Sequence, residues 1–359
     1  MWKSHLETIL AWLKRYERPL ATALFVFGFI GDVLTFGLLD LSSVTILFAA
    51  YIAIVIITTV VAHATFDRQD RPFIRIIGAL APLAAQFVFG SLLSGFLIFF
   101  TKSAVLSISW PFIIVLLILF FGNEVFRQYR DSLIFQVFLV YFSIYAFALF
   151  ALPIAIGKLT EVTFFESTIA ALIAFALYIG LLAATGWARF KQYLVPIIVS
   201  SALITAIIVG SYFAGLLPPI PLTLKQGGIY HDITRTAGAY VVQGESVRAW
   251  WDPREQVVHH APGTPLYAYS AISAPQAFSA GIMHVWQYQD HGKWSTRSTV
   301  AFVVSGGRKE GYRGYSIVDN PAAGNWRVLV QTIDGQTIGK FSFVVQNVSQ
   351  EPVLTTQNL

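Results

Sequence analysis

The chain changes its hydrophobic period once. From residue 19 to residue 216 apolar positions run together in long blocks separated by short polar stretches. Past Leu217-Pro218-Pro219-Ile220-Pro221 the blocks give way to short runs in which apolar and polar positions alternate. A helix that crosses a hydrocarbon layer about 30 Å thick takes about 20 apolar residues. Seven blocks reach that length: 19–39, 43–63, 73–100, 104–123, 132–156, 166–187 and 193–216. Pro82 inside the third predicts a kink or tilt. Ahead of them, Trp2, Leu6, Ile9, Leu10 and Leu13 recur at near-helical spacing among Lys3, Lys14, Arg15 and Arg18. That pattern predicts an amphipathic leader over 1–18 on a membrane surface.

The proline run ends the helical half, because proline removes a helix hydrogen bond and clashes with the preceding turn. Beyond it, Ala239–Val247, Leu266–Ile272, Ile282–Gln289, Thr299–Val304, Tyr312–Val318, Trp326–Gln331 and Thr337–Val345 read as strands. In the third of these, Ile282, His284, Trp286 and Tyr288 oppose Met283, Val285 and Gln287; in the sixth, Trp326, Val328 and Val330 oppose Arg327, Leu329 and Gln331. Asp334-Gly335 is a hairpin signal. Seven short strands with turn residues between them predict an all-β sandwich of immunoglobulin-like type. The expected architecture is a membrane α-helical bundle of about seven transmembrane helices followed by that sandwich. In order, the chain reads as a leader at 1–18, a transmembrane domain at 19–217, a linker at 218–238, the sandwich at 239–346 and a flexible tail at 347–359.

Composition supports the division. Of 359 residues, 56% are apolar and 12% charged, against about 25% charged in ordinary globular proteins. Mean hydropathy is +0.65. These values exclude a single soluble domain and intrinsic disorder. Residues 225–359 carry 11 Lys and Arg and 9 Asp and Glu, a charge density near the soluble norm.

The charges also orient the blocks. Lys3, Lys14, Arg15, Arg18, Arg68, Arg71, Arg75, Arg127, Arg130, Arg189 and Lys191 fall on one side, and Lys102 and Lys158 on the other. Basic loops stay in the cytoplasm. The N-terminus is therefore expected inside and the sandwich outside the cytoplasmic membrane. The net charge of +5 is too small and scattered to predict a nucleic-acid partner. There is no Cys, so disulfides, thiolate metal sites and Cys nucleophiles are absent.

Charged and polar groups inside spans are functional candidates because burial in lipid is costly. Asp32 and Gln86 are the two deep ones. Asp32, beside Gly28 and Gly31, also suits close helix packing. In the outer half are five His residues: His259 and His260 are adjacent and would point to opposite faces of a strand, and His231, His284 and His291 have no close carboxylate pairing at ligand spacing. No metal site is expected there. There is no Gly-x-Ser-x-Gly elbow, no carboxylate pair and no phosphate loop. Catalysis and cofactors are accordingly not expected. Binding is. His284, Trp286 and Tyr288 share a strand face, and Arg308, Arg313 and Tyr315 can lie near them. Aromatic rings stack on sugars, while Arg and His bond hydroxyls and carboxylates. In the competing arrangement Trp286 and Trp326 pack between the sheets as core.

His284-Val285-Trp286, Trp294, Gly307-Arg308, Arg313-Gly314-Tyr315-Ser316, Gly324-Asn325-Trp326-Arg327-Val328 and Gly339-Lys340-Phe341-Ser342-Phe343-Val344 together resemble the C-terminal domain of unknown function numbered 2914. The resemblance spans roughly 240–346 and departs from the family pattern at Tyr315, where Trp is usual. It implies an Ig-like fold in a bacterial protein, often behind a multi-span membrane region, and no established activity. The expected function is a non-catalytic membrane protein whose outer module binds an envelope glycan or a membrane-protein partner. A transporter or channel with the β-domain as lid, and an accessory subunit of a larger membrane complex, are the alternatives.

Overall fold

A computed structural model describes residues 29–36, 39, 41–65, 72–125, 132–236, 239–245, 256–307, 311–350 and 352–359. The leader at 1–18 lies outside them, as do most of the first apolar block, the side chain of Gln86, and Arg308. A helical segment at 29–36 is followed by α1 (Leu41–Thr65), α2 (Pro72–Lys102), α3 (Leu106–Val125), α4 (Leu133–Ile156), α5 (Glu161–Phe190) and α6 (Leu194–Phe213). Three helical stretches are long and apolar enough to cross a membrane: α1, α4, and the 53-residue run Glu161–Phe213 that joins α5 and α6 through a short 3-10 turn. The apolar runs at Phe87–Lys102 and Leu106–Gly122 are shorter. The count is thus three among the described residues, where the sequence pattern predicts seven.

The chain divides into two compact units. The first takes its described residues from Met1–Phe99, Ile113–Ala148 and Thr168–Ala206. Within it α4 is buried on every side, through Val137, Val140, Tyr141, Phe142, Ile144 and Tyr145 among others. By contrast α1 buries one stripe, Val44, Phe48, Val55, Thr59 and His63, at the four-residue spacing of a single helix face. Its opposite side exposes Ile46, Ile54 and Ile57. Neutral hydroxyl pairs tie the helices: Tyr141 to Thr205 at 2.6 Å, Tyr145 to Thr168 at 2.8 Å, and Tyr178 donating to Thr59 at 3.1 Å. Gly95 lets the helices close up, since a Cβ there would lie 2.5 Å from the Phe48 ring.

The second unit takes Phe100–Phe112, Leu149–Ser167 and Ile207–Leu359. Its C-terminal part is a β-sheet domain of eleven described strands: β1 (Thr223–Tyr230), β2 (Asp232–Thr236), β3 (Ala239–Gly244), β4 (Gln256–His260), β5 (Pro265–Ser273), β6 (Ser279–Asp290), β7 (Lys293–Ser305), β8 (Tyr312–Asp319), β9 (Gly324–Thr332), β10 (Thr337–Asn347) and β11 (Thr355–Asn358). They form sheets of order β4-β10-β9-β6-β7, β1-β5-β8 and β11-β3-β2. All ladders are antiparallel except β4 with β10. All seven strands read from the alternation are present.

Two expectations about boundaries are corrected. The stretch at 218–238 is not a linker, because β1 and β2 lie in it and pair with β5 and β3. The tail is not free, because Thr355–Asn358 pairs with Val241–Gly244 of β3. Both segments are held by backbone ladders, which require no alternation of apolar side chains.

The first two sheets share a core. Ile229, Leu266 and Ala268 from β1 and β5 pack with Val258, Trp286, Trp326, Val328, Phe343 and Val345 from the five-stranded sheet. Trp286 meets Trp326 at 6.5 Å and 79°, and Phe343 at 6.3 Å and 87°. These edge-to-face contacts put ring hydrogens against π faces. Asp334-Gly335 sits in the β9–β10 connection with Gly335 at φ +84°. His291 and Gly292, both at positive φ, close the β6–β7 hairpin, the geometry that matches strand twist in a two-residue turn.

Candidate functional site

Strand parity distributes the sequence candidates over different surfaces. On β6 the even-numbered residues face the opposing sheet and the odd-numbered ones face outward. His284 and Trp286 are therefore 0% exposed and form no ligand surface, which corrects the expectation for these two. Tyr288 is half-buried at the rim of the same core, 5.2 Å from Trp326, and its hydroxyl donates to the Ala323 carbonyl at 3.2 Å.

The buried residues instead make a polar link between sheets. His284 bonds Ser270 of β5 through Nε2 at 2.8 Å and Ser316 of β8 through Nδ1 at 2.8 Å. The Trp286 indole N–H donates to the same Ser316 oxygen at 2.9 Å. Desolvation lowers the His284 pKa from 6.5 to about 4, because a charge costs more than a neutral ring in this interior. At neutral pH the imidazole is neutral, donating through one nitrogen and accepting through the other. Among the described residues no carboxylate bonds the ring, and the contact joins β6 to β5 and β8.

Arg313 and Tyr315 lie on β8 with the other odd-numbered residues, on the outer face of β1-β5-β8. Tyr315 is 41% exposed. Its ring lies 6.2 Å from Tyr267 and 6.2 Å from Tyr240, and the Arg235 guanidinium lies 5.9 Å over Tyr240. The third sheet covers part of this face, where Tyr230, Ile233, Val242, Tyr269 and Ala271 cluster. Burial, then Asp232, Tyr315 and Asp319, raise the Tyr267 pKa. The structure thus brings Arg313 and Tyr315 to one surface and separates them from His284, Trp286 and Tyr288. Asp32 is half-buried on the segment at 29–36.

A second polar and aromatic face was not among the sequence candidates. On the outer side of the five-stranded sheet the Arg327 guanidinium stacks over the Trp294 ring at 4.3 Å. Its Nε donates to Gln287 Oε1 at 2.7 Å. Beside them Asn325 donates to Gln289 Oε1 at 2.9 Å, and Gln287 reaches Thr296 at 3.3 Å. The register also places Lys340, opposite Leu329, on this side. No Asp or Glu of β6, β7, β9 or β10 projects there among the described residues. Burial lowers the Arg327 pKa, and the group stays charged at neutral pH. Its terminal amino groups have no protein acceptor among the described residues, so donors are held in place and aimed outward. The signal in the sequence was the odd parity of Gln287, Gln289, Asn325 and Arg327 against the Trp-bearing positions.

The other histidines of the β-domain each have a partner. Glu245 bridges His231 at 3.1 Å and His259 at 2.7 Å, a pairing the sequence spacing did not suggest. Burial pushes Glu245 up, but bonds from His259 and His231 more than offset it and leave the pKa below the ordinary value. His260 meets the Thr264 carbonyl at 2.8 Å and His291 meets Asp290 at 2.7 Å. Among the described residues no group of three or more His, Cys, Asp or Glu is placed to hold a metal ion.

These features define a helical region followed by a β-sheet domain with polar and aromatic outer faces. Residues 279–345, from β6 through most of β10, match the family described as protein of unknown function (DUF2914). Among curated proteins, none matches the chain. Among solved structures, alkylpurine DNA glycosylase AlkC from Pseudomonas fluorescens, bound to DNA containing an abasic site analog, aligns at 8% identity over 77% of this chain and 82% of its own. The TM-score of 0.22 is too low for a shared fold, so the alignment assigns no activity.

Proposed function

We propose that this is a polytopic protein of a bacterial cytoplasmic membrane, with about seven spans and a cytoplasmic N-terminus. It presents a non-catalytic Ig-like module outside the cell membrane, and that module binds an acidic glycan of the envelope. The observation that carries the binding role is the Trp294–Arg327–Gln287 constellation on an open sheet face. A ring offers an apolar surface to sugar C–H groups, planar amides exchange hydrogen bonds with hydroxyls, and a pre-oriented guanidinium takes a carboxylate. Arg327 and Lys340 without a facing carboxylate favour an anionic sugar over a neutral one.

Other features support the membrane part. The outward sides of α5 and α6 expose Ile169, Leu172, Ile173, Leu177, Val195, Ile198, Val199 and Leu203, a surface suited to lipid. The 53-residue run has length for two crossings at about 20 residues each, and Gly186 interrupts its helical geometry. The segments around Lys102 and Lys158 share a unit with the β-domain, in keeping with loops on one side. An Ig-like reading of the domain is supported by two facing sheets, hairpin-linked β6–β7 and β9–β10, and a buried Trp on a central strand.

The absence of native Cys makes the topology directly testable. In intact cells Lys293→Cys is expected to react with an impermeant thiol reagent and Lys191→Cys only after lysis. The reverse pattern inverts the orientation.

Binding is tested on the full chain in nanodiscs, with a uronic-acid oligosaccharide and a neutral oligosaccharide of equal length as probes. The acidic probe is expected to bind and to weaken at high salt as its charges are screened. Arg327→Gln and Trp294→Ala are each expected to weaken it about tenfold or more, about 1.4 kcal/mol per decade. Retention of neither probe, or equal retention by both variants, overturns the reading.

A further inference from the structure

The second unit contains a cleft unrelated to the sheet faces. It is narrow and partly open to solvent, and is lined mostly by Phe100, Leu149, Phe164, Leu217 and Pro218. Three polar side chains, Ser167, Tyr212 and Gln336, also line it. Ser167 is satisfied, since it donates to the Thr163 carbonyl at 2.7 Å. Tyr212 Oη and Gln336 Nε2 are buried and have no hydrogen-bond partner among the described residues. Tyr212 is 8% and Gln336 4% exposed.

The Tyr212 ring and the Gln336 backbone are fixed. The Tyr212 ring stacks on Phe164 at 3.8 Å and 13°. The Gln336 backbone is pinned to Thr332, its N–H donating to Oγ1 at 3.1 Å and its carbonyl accepting from the Thr332 N–H at 2.8 Å. Two buried donors without acceptors cost free energy unless something in the cleft accepts from them.

The neighbouring charges restrict what that acceptor is. The Asp334 and Glu161 carboxylates act on Tyr212, and the Glu161 backbone N–H bonds Asp334. Burial and the adjacent Glu161 raise the Asp334 pKa. An anionic ligand group would face these carboxylates, whereas an uncharged carbonyl oxygen would not be repelled. The rest of the lining is hydrocarbon, and Val162, Phe165 and Phe213 of the same unit expose apolar side chains.

We infer that the cleft binds the ester region of an uncharged glycerolipid, with Tyr212 and Gln336 donating to an ester carbonyl and an acyl chain leaving along the exposed helix surface. This rests on the membrane reading but not on glycan binding. A lipid held there links the helix ends to the Pro218–Ile220 segment and to the β9–β10 connection.

The test uses the full chain purified in mild detergent, supplied with dioleoylglycerol or dioleoylphosphatidylglycerol and examined by native mass spectrometry. The expected result is about one dioleoylglycerol per chain, retained several-fold better than the anionic lipid. Gln336→Leu and Tyr212→Phe together are expected to lower retention at least five-fold. Ser167→Phe, which fills the cleft, is expected to abolish it, with unchanged helical content and melting of the full chain showing that the variant is folded. No retained lipid, preference for the anionic lipid, or full retention by the variants overturns the inference. Satisfaction of the two donors by water alone would appear as the first of these outcomes. The uronic-acid assay above is independent, so failure of glycan binding and failure of lipid binding are separately visible.

Discussion

Replacing Trp286 with Ala is expected to destabilise the β-domain by about 3–5 kcal/mol, the usual range for removing a large buried aromatic. The ring is fully enclosed and touches Trp326 of β9 and Phe343 of β10. Its loss leaves a cavity where the two sheets meet. It also removes the N–H that donates to Ser316. Trp286→Phe separates the two effects: the ring volume is mostly kept and the cost falls toward about 1 kcal/mol for the lost hydrogen bond plus a smaller cavity. Domains of this kind have about 5–15 kcal/mol in total, so Trp286→Ala approaches the unfolding threshold. Denaturation of the full chain followed by tryptophan fluorescence, with protease release of the C-terminal domain as a second measure, checks this. Trp294→Ala is the control. That ring lies on the outer face, and its removal is expected to change stability by less than about 1 kcal/mol while weakening the proposed binding of the acidic probe about tenfold or more. Equal losses for the two substitutions would contradict the assignment of one Trp to the core and the other to the surface.

That contrast shows what a sequence of this kind makes legible. Alternation correctly put His284, Trp286 and Tyr288 on one side of β6 and Gln287 on the other. Parity gives two faces, however, and does not say which one meets another sheet. The deciding fact is the partner across the core, Ser270 and Ser316, which lie on strands distant in sequence. With that fact, the outward set becomes Gln287, Trp294, Asn325 and Arg327, the last three of them present in the motifs that resemble family 2914.

The unread strands have a related cause. β1 (TLKQGGIY) and β11 (TTQN) show no run of alternating apolar residues, and ladders to β5 and β3 tie them into the domain. Gly227 in β1 is required by packing, since a Cβ there would sit 2.3 Å from the Phe341 ring. Such a demand from a distant side chain leaves only a glycine as its trace. The helical blocks were legible as helices, because a long apolar run identifies itself without any partner, but only three described stretches are long and apolar enough to cross a membrane. The pairing of Tyr178 with Thr59, 119 residues apart, was beyond reach for the same reason as the His284 link.

Acidification is expected to weaken the β-domain through His284 in a defined window. The histidine has a pKa near 6.5 when unfolded and about 4 when folded. Between these values the unfolded chain binds a proton that the native chain does not, so stability falls as pH drops from about 6.5 to about 4 and is lost no further by this group below that. The full effect is about 3 kcal/mol on an order-of-magnitude basis. Among the described residues the ring meets Ser270, Ser316 and Phe302, none of which titrates in this range. Glu245 acts in the same direction only at the acid end, since a carboxylate with a lowered pKa loses its contribution as pH falls through the folded value. The informative interval is therefore pH 7 to 5. Over it, the melting temperature of the wild-type domain is expected to fall, and His284→Gln, although less stable at pH 7, is expected to show a flatter profile. A variant with the wild-type slope would mean that the imidazole is not held neutral between the sheets, and the polar link through Ser270 and Ser316 would lose its role in joining them.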